Sequence, residues 1–76
     1  MEYRVEGYDK DNGVYVEYWK GTNLEKAKEI CDILDKIARK DELIRYCSSE
    51  KFGLDKEPID WVQVTGGNDE MVYIPR

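Results

Sequence analysis

The chain of 76 residues contains no histidine, and it has only two cysteines and two prolines. Histidine is the most versatile general base at neutral pH, so its absence removes the usual Ser-His and Cys-His nucleophile arrangements. It also removes zinc sites that need imidazole, and two cysteines are too few for a Cys₄ site within one chain. The sequence therefore predicts no catalytic residues, no metal and no cofactor, and we expect a protein that is not an enzyme.

Long apolar runs are also missing. No segment approaches the roughly 20 residues that cross a bilayer, and charged residues interrupt the N-terminal stretch 1–6, which is not typical of a secretory leader. Two cysteines do not make the disulfide framework of a small secreted domain. We therefore expect a cytoplasmic protein with free thiols, although one bridge between Cys31 and Cys47 would close a loop of modest size.

Acidic residues outnumber basic ones by 17 to 12, which gives a formal net charge of −5 at pH 7. Such a chain has no excess of basic charge for phosphates, so it is not expected to bind nucleic acid directly or an anionic membrane. Apolar residues make up 41% of the chain and include six Tyr, two Trp and one Phe. Because disordered segments are poor in aromatics, residues 1–76 are expected to form a single domain with a thin core.

Residues 1–19 have the pattern of a β-hairpin. Asn12-Gly13 is typical of a two-residue type I′ turn, and it separates two runs in which apolar and polar residues alternate. A turn of this kind pairs Asp11 with Val14, and the resulting register predicts one apolar face. The residues on this predicted core face are Tyr3, Val5, Val14, Val16 and Tyr18.

A helix is predicted over residues 23–40. Thr22 and Glu25 have the spacing of a capping box, in which Thr22 is the N-cap. Apolar residues recur at three- and four-residue steps in one broad stripe. The stripe consists of Leu24, Ala27, Ile30, Cys31, Leu34, Ile37 and Ala38. Cys31 is therefore expected to be a small core residue.

The segment after this helix is ambiguous. The apolar pattern changes phase near residue 40, and residues 41–52 are compatible with either a short helix or a strand. The lack of Gly and Pro between Ala38 and Cys47 slightly favours the helix, and a loop is predicted over residues 48–58. A second hairpin is predicted from strands at 59–65 and 71–74 with a turn at 66–69, but its register stays open.

These elements predict an α+β fold. It is a two-layer sandwich of about four antiparallel strands in two hairpins, with one main helix on one face. The order is ββα(α)ββ, where the optional second helix would lie in residues 41–52. Each hairpin and the helix has an apolar side, and packing the helix across the sheet buries all of them.

One surface of the first hairpin combines aromatic and charged side chains. Opposite the core face, the predicted register places three aromatic residues and an arginine among glutamates. They are Arg4, Tyr8, Tyr15 and Trp19. Because Tyr, Trp and Arg carry much of the binding energy of protein interfaces, these residues form the candidate partner-binding site. Cross-strand packing within the hairpin, or coverage by residues 41–58, would explain the same aromatics without a partner.

A second candidate surface is acidic. Four carboxylates follow the outer side of the predicted helix in nearly one row: Glu25, Glu29, Asp32 and Asp35. Such a row is usually a solvated face. Carboxylates spaced like phosphates also allow a protein to imitate nucleic acid and occupy a nucleic-acid-binding protein.

The sequence therefore predicts a non-enzymatic small interaction protein, which acts as a regulator, adaptor or inhibitor. Its partner would be another protein or a second copy of the chain, bound through the aromatic face of the first hairpin. The alternative is an acidic inhibitor that mimics nucleic acid through the helix row, of the kind that viruses and mobile elements encode. No residue pattern identifies the partner.

Overall fold

The chain folds into two antiparallel sheets and one helix. The computed structural model describes residues 1–40, 42–49 and 53–75, with the side chains of 1–40, 42–43 and 58–75. In chain order its elements are β1 (Tyr3–Asp9), β2 (Val14–Gly21), α1 (Leu24–Arg39), β3 (Ile44–Ser49), β4 (Gly53–Pro58), β5 (Trp61–Gly66) and β6 (Met71–Tyr73). A four-stranded sheet has the order β2-β1-β5-β6, and β3 pairs with β4 in a separate sheet. Because α1 packs on the four-stranded sheet, the predicted α+β sandwich is confirmed.

Strand β1 lies inside the four-stranded sheet, between β2 on one side and β5 on the other. Both neighbours are antiparallel to it. Across the junction with β5, Val5 faces Val64 and Gly7 faces Val62. This pairing joins the hairpins from the two ends of the chain into one sheet.

The predicted register of the first hairpin is wrong by two residues at its turn. Asp9, and not Asp11, pairs with Val14, so residues 10–13 form a longer loop. The Asp9 carboxylate accepts hydrogen bonds from the amides of Asp11 and Asn12 at 3.1 and 3.3 Å. Gly13 takes a positive φ of 64°, whereas Asn12 does not. A type I′ turn needs positive φ at both positions, and the capping carboxylate favours the longer loop instead.

A β-bulge in β2 changes which residues face the core. Glu6 pairs with Glu17, whereas Val5, the residue before Glu6, pairs with Trp19. Tyr18 has no partner of its own in β1 and is the extra residue of the bulge. A bulge of one residue reverses the alternation beyond it. Trp19 therefore lies on the same face as Val5, and both Tyr18 and Trp19 pack against the core.

The core lies between α1 and the inner face of the four-stranded sheet. Its buried members are Val5, Ala27, Cys31, Ala38, Ile59, Val62 and Val64. Of the predicted core face of the hairpin, three further residues pack against this cluster: Tyr3, Val16 and Tyr18. Val14, next to the loop, is 37% exposed. Cys31 is fully buried and is a free thiol, which confirms its prediction as a core residue.

Helix α1 begins one residue later than the capping box predicts. Its N-cap is Asn23, which has an extended backbone and whose Oδ1 accepts a hydrogen bond from the Lys26 amide at 3.1 Å. Asn is at least as good an N-cap as Thr, so Asn23 takes the position predicted for Thr22. No helix in the described ranges combines the length and the apolar character needed to cross a membrane.

Residues 44–58 contain a hairpin in place of a helix and a loop. β3 and β4 pair from Ile44 and Pro58 to Ser49 and Gly53. The preference for a helix in 41–52 and the loop predicted over 48–58 are therefore wrong, apart from residues 41 and 50–52, which lie outside the described residues. The partner strand decides the conformation, since a short apolar run has no periodicity that separates helix from strand. At the base of this hairpin, the Ile59 amide donates to the Leu43 carbonyl at 2.9 Å.

Gly7 gives the inner side chains the space that they need. A Cβ at this position would lie 2.7 Å from Ile59 Cγ2 and 2.7 Å from Tyr18 Cε2. Ile59 is 1% exposed, so the surrounding core leaves it little room to move away.

We expect Gly7→Ala to lower the free energy of unfolding by about 1–3 kcal/mol, the usual cost of overpacking a core. Gly67→Ala is the matched control, because the nearest atom to a Cβ there, the Glu2 carbonyl oxygen, is 3.8 Å away. Both substitutions remove a glycine and so lower the conformational entropy of the unfolded chain, and this contribution cancels when the two variants are compared. Urea denaturation followed by tryptophan fluorescence measures both variants. Equal stabilities of the two would contradict the tight packing at Gly7.

Burial, with the negative charges of Asp32 and Asp35, raises the pKa of the Cys31 thiol to about 12. The thiol of an unfolded cysteine has a pKa of about 8.5, and only the thiolate is nucleophilic. In a Cys47→Ser variant at mildly alkaline pH, we expect iodoacetamide to alkylate Cys31 only through unfolding. The rate should therefore rise with denaturant in step with the loss of structure, as mass spectrometry can follow. Fast alkylation of the folded protein would be incompatible with this burial.

Candidate interaction surface

The face of the four-stranded sheet opposite α1 carries the candidate site, and we call it the outer face. The pairing of β2, β1 and β5 aligns its side chains in three rows across the strands. The first row is aromatic, the second contains two carboxylates and an amide, and the third contains two cations and a hydroxyl. The rows are Tyr15-Tyr8-Trp61, Glu17-Glu6-Gln63 and Lys20-Arg4-Thr65.

The aromatic row is continuous across three strands. The ring centroids of Tyr8 and Tyr15 are 4.7 Å apart, and those of Tyr8 and Trp61 are 4.5 Å apart, with tilts of 39° and 42°. Such ring pairs stabilise a protein by about 0.5–1.5 kcal/mol each beyond the burial of their area. Tyr15 nevertheless remains 54% exposed and Trp61 37% exposed. The row is therefore packed internally and presents aromatic surface to solvent.

A chain of hydrogen bonds along β5 holds Trp61 in place. Trp61 Nε1 donates to Gln63 Oε1 at 3.1 Å, and Gln63 Nε2 donates to Thr65 Oγ1 at 3.2 Å. Gln63 and Thr65 are both buried. The indole N–H is thus used within the protein, and Trp61 offers a ligand its ring and not its donor.

The second row brings two carboxylates face to face. Glu6 and Glu17 pair directly across β1 and β2, and like charges in this position destabilise a sheet. Neither forms an ion pair with any side chain that the structure describes. A shallow depression of about 240 Å³ adjoins Glu6, and it is lined by Glu6, Tyr15, Gln63, Thr65 and Asp69.

The two cations of the third row are engaged elsewhere. Arg4 pairs with Asp69 of the loop before β6, and Lys20 Nζ lies 3.5 Å from Glu2 Oε1. The hydrogen bond to Asp69 is the main cause that raises the pKa of Arg4, and the charges of Glu6 and other nearby acids add to it. Arg4 therefore acts on Glu6 only at longer range, and its guanidinium is held by Asp69.

Three of the four residues predicted for the binding surface lie on the outer face: Arg4, Tyr8 and Tyr15. The placement of Trp19 beside them is wrong, because the bulge in β2 turns it to the core face. Its ring instead occupies the space above Gly21, where a Cβ would lie 2.6 Å from Cζ2. Trp61 completes the aromatic row in its place.

The sequence predicts the face of β5 on which Trp61 lies, but it does not predict which residues of other strands lie beside it. The alternation of Trp61, Gln63 and Thr65 with two valines indicates that these three residues share one face of a strand. The sequence does not give the register of the second hairpin or the pairing of β5 with β1. It therefore does not predict that this face lies beside Tyr8. The adjacent pair Glu6 and Glu17 was missed because the predicted register paired each of them with an aromatic residue.

The acidic row predicted on α1 does not form one solvated face. Asp35 is 9% exposed and accepts a hydrogen bond from Arg39 Nε at 2.7 Å. Asp32 accepts a hydrogen bond from Tyr73 Oη at 2.6 Å, which, with burial, raises the pKa of Tyr73 to about 12. Both carboxylates are therefore engaged within the fold, Asp32 by Tyr73 of β6 and Asp35 by Arg39 of the same helix.

The other two members of that row, Glu25 and Glu29, are exposed. Lys28 lies between them in sequence, and its Nζ is 4.0 Å from Glu25 Oε1. Alternating charges at this spacing are typical of an ordinary solvated helix surface. Helix α1 therefore lacks a continuous line of free carboxylates.

Among residues 1–40, 42–49 and 53–75, the structure groups no three His, Cys, Asp or Glu side chains in the manner of a metal site. No family model, curated protein or solved structure matches this chain. The geometry of the outer face is therefore the basis for its functional interpretation.

We expect Tyr8→Ala to lower the free energy of unfolding by about 2–4 kcal/mol, because Tyr8 contacts both other rings of the row. Tyr15→Ala removes only one ring contact from an exposed position, and a loss of about 1 kcal/mol is expected. Urea denaturation of the two variants compares them directly. A larger loss for Tyr15→Ala would contradict the central position of Tyr8.

Proposed function

We propose that the protein is a non-enzymatic interaction module, which binds a segment of another protein on its outer face. The aromatic row of Tyr15, Tyr8 and Trp61 is the observation that supports this proposal. Tyr and Trp are enriched among the residues that dominate the energy of protein interfaces. Stabilisation of the sheet alone does not require Tyr15 to remain 54% exposed at the end of such a row.

The row is arranged before a partner binds. Each ring contacts its neighbour, and Trp61 is anchored through Gln63 to Thr65. A surface that is already ordered loses little conformational entropy on binding, so more of the contact energy contributes to affinity. Tyr and Trp also combine a large contact area with few rotatable bonds. These properties fit a small adaptor, regulator or inhibitor whose task is recognition.

Charge favours a different protein over a second copy of the chain. In a two-fold symmetric dimer whose axis passes near the acidic pair, the carboxylates of Glu6 and Glu17 would approach the same pair in the other copy. Like charges set against each other in an interface cost several kcal/mol. The proposed partner is therefore a protein segment whose charge complements the acidic row.

Selection from a random peptide library displayed on phage tests this function. We expect enriched peptides to bind the Tyr15→Ala variant at least about ten-fold more weakly than the wild type, as for truncation of an interface hot spot. The matched control is Ile33→Ala, since Ile33 is an apolar residue of α1 that is 60% exposed. Affinity for this variant should equal that of the wild type, and circular dichroism verifies that both variants are folded.

Two results would contradict the proposal. One is a set of selected peptides that bind Tyr15→Ala as tightly as the wild type, because their site would then lie elsewhere. The other is a library that yields no peptide with measurable affinity for the folded protein.

A further inference from the structure

Resting on the proposed function, we infer that the outer face recognises its partner segment through an arginine side chain. The guanidinium lies against the exposed ring of Tyr15 and pairs with the carboxylates of Glu6 and Glu17. The aromatic row lies beside an acidic pair that forms no ion pair with the side chains of residues 1–40, 42–43 and 58–75.

The acidic pair is placed to hold one cation. Glu6 and Glu17 are direct cross-strand partners, and the Cβ atoms of such partners are about 4.5–5.5 Å apart. One guanidinium can therefore reach both carboxylates, which removes their mutual repulsion and replaces it with attraction. The nearest cations of the same face do not fill this role, because Arg4 is bound to Asp69 and Lys20 to Glu2.

The aromatic row lies one step away from the acidic pair. Glu6 and Tyr8 are on the same face of β1, as Glu17 and Tyr15 are on β2. Residues that share a face of a strand are about 6.5–7 Å apart along it. A long cationic side chain that reaches the carboxylates therefore also reaches the exposed Tyr15 ring, within the distance of about 6 Å at which a cation is attracted by an aromatic face.

The close packing of the row distinguishes among cationic side chains. With centroid distances of 4.5 and 4.7 Å and tilts of 39° and 42°, the three rings stack against one another and do not surround a cavity. A methylated ammonium is recognised by aromatic rings that surround it. A guanidinium is planar, stacks on a ring face and donates several N–H groups in a fixed fork, whereas the ammonium of lysine is a compact point charge. An exposed Tyr15 ring beside two carboxylates thus fits arginine best.

The net charge of the chain also favours a basic partner segment. With a formal net charge of −5, the protein attracts a basic segment before contact is made. The attraction is screened by salt. Binding of an arginine peptide should therefore weaken as the salt concentration rises.

Three synthetic peptides test the inference: Ac-Gly-Arg-Gly-Tyr-Gly-Arg-Gly-amide and its counterparts with lysine or citrulline in place of arginine. Citrulline has nearly the shape of arginine but no charge. Titrations followed by two-dimensional NMR of the labelled protein give both the affinity and the location of binding. We expect the arginine peptide to shift the signals of Tyr8, Tyr15 and Glu17, and to bind about ten-fold more tightly than the citrulline peptide. The lysine peptide should be about three-fold weaker than the arginine peptide.

A charge-matched pair of variants locates the effect. We expect Glu17→Gln to weaken the arginine peptide about three-fold, while its effect on the citrulline peptide is negligible. Glu25→Gln makes the same change in net charge at an exposed position of α1. Glu25→Gln should leave the affinities for both peptides unchanged. If it weakened the arginine peptide as much as Glu17→Gln does, net charge alone would explain the effect, and the inference would be overturned.

The outcomes separate the inference from the function on which it rests. If the arginine and citrulline peptides bind the outer face equally, or the lysine peptide binds more tightly, the arginine inference is overturned and the proposed function stands. The arginine inference is also overturned, and the proposed function stands, if none of the three synthetic peptides shifts outer-face signals while library peptides bind the outer face. If library peptides are indifferent to Tyr15→Ala, the proposed function itself fails.

Discussion

The antiparallel pairing of β1 with β5 is the contact on which the rest of the structure depends. It joins the hairpins at the two ends of the chain, and its register sets Val5 against Val64 on the inner face and Tyr8 against Trp61 on the outer face. The inner pair belongs to the core on which α1 packs, and the outer pair is the centre of the aromatic row. A slip of one residue would exchange the two faces, so the same hydrogen-bond ladder specifies both the core and the candidate site.

The bulge in β2 divides the aromatic residues of the first hairpin between the two layers. Tyr15 precedes the bulge and lies outside, whereas Tyr18 and Trp19 pack against the core. A chain this short buries a smaller fraction of its surface than a larger domain does, so a large indole on the inner side adds apolar area to a thin core. Gly7 and Gly21 provide the space for these rings. The bulge also breaks the regularity of an edge strand, which discourages pairing with another sheet.

The acids of this protein have two different environments. On α1, Asp32 and Asp35 accept hydrogen bonds from Tyr73 and Arg39, so their charges serve the packing of the helix. On the outer face, the two glutamates of the second row oppose each other and form no ion pair with the described side chains. Natural proteins keep unfavourable local arrangements chiefly at functional sites. This contrast is why we interpret the outer face, and not the helix, as the surface that meets a partner.

The elements that depend on nearby residues were determined by the sequence itself. The apolar period of α1, the core position of Cys31, both terminal hairpins and the α+β class follow from patterns that extend over a few residues. Three of the four predicted surface residues also lie on the outer face.

Tertiary structure decided what depends on partners far along the chain. The bulge moved Trp19 inward, the β1–β5 register brought Trp61 beside Tyr8, and β4 gave β3 its strand partner. The packing of α1 on the sheet turned Asp35 away from solvent. Turn and helix signals act through local backbone energetics, whereas register and face are settled only when distant elements share one buried surface.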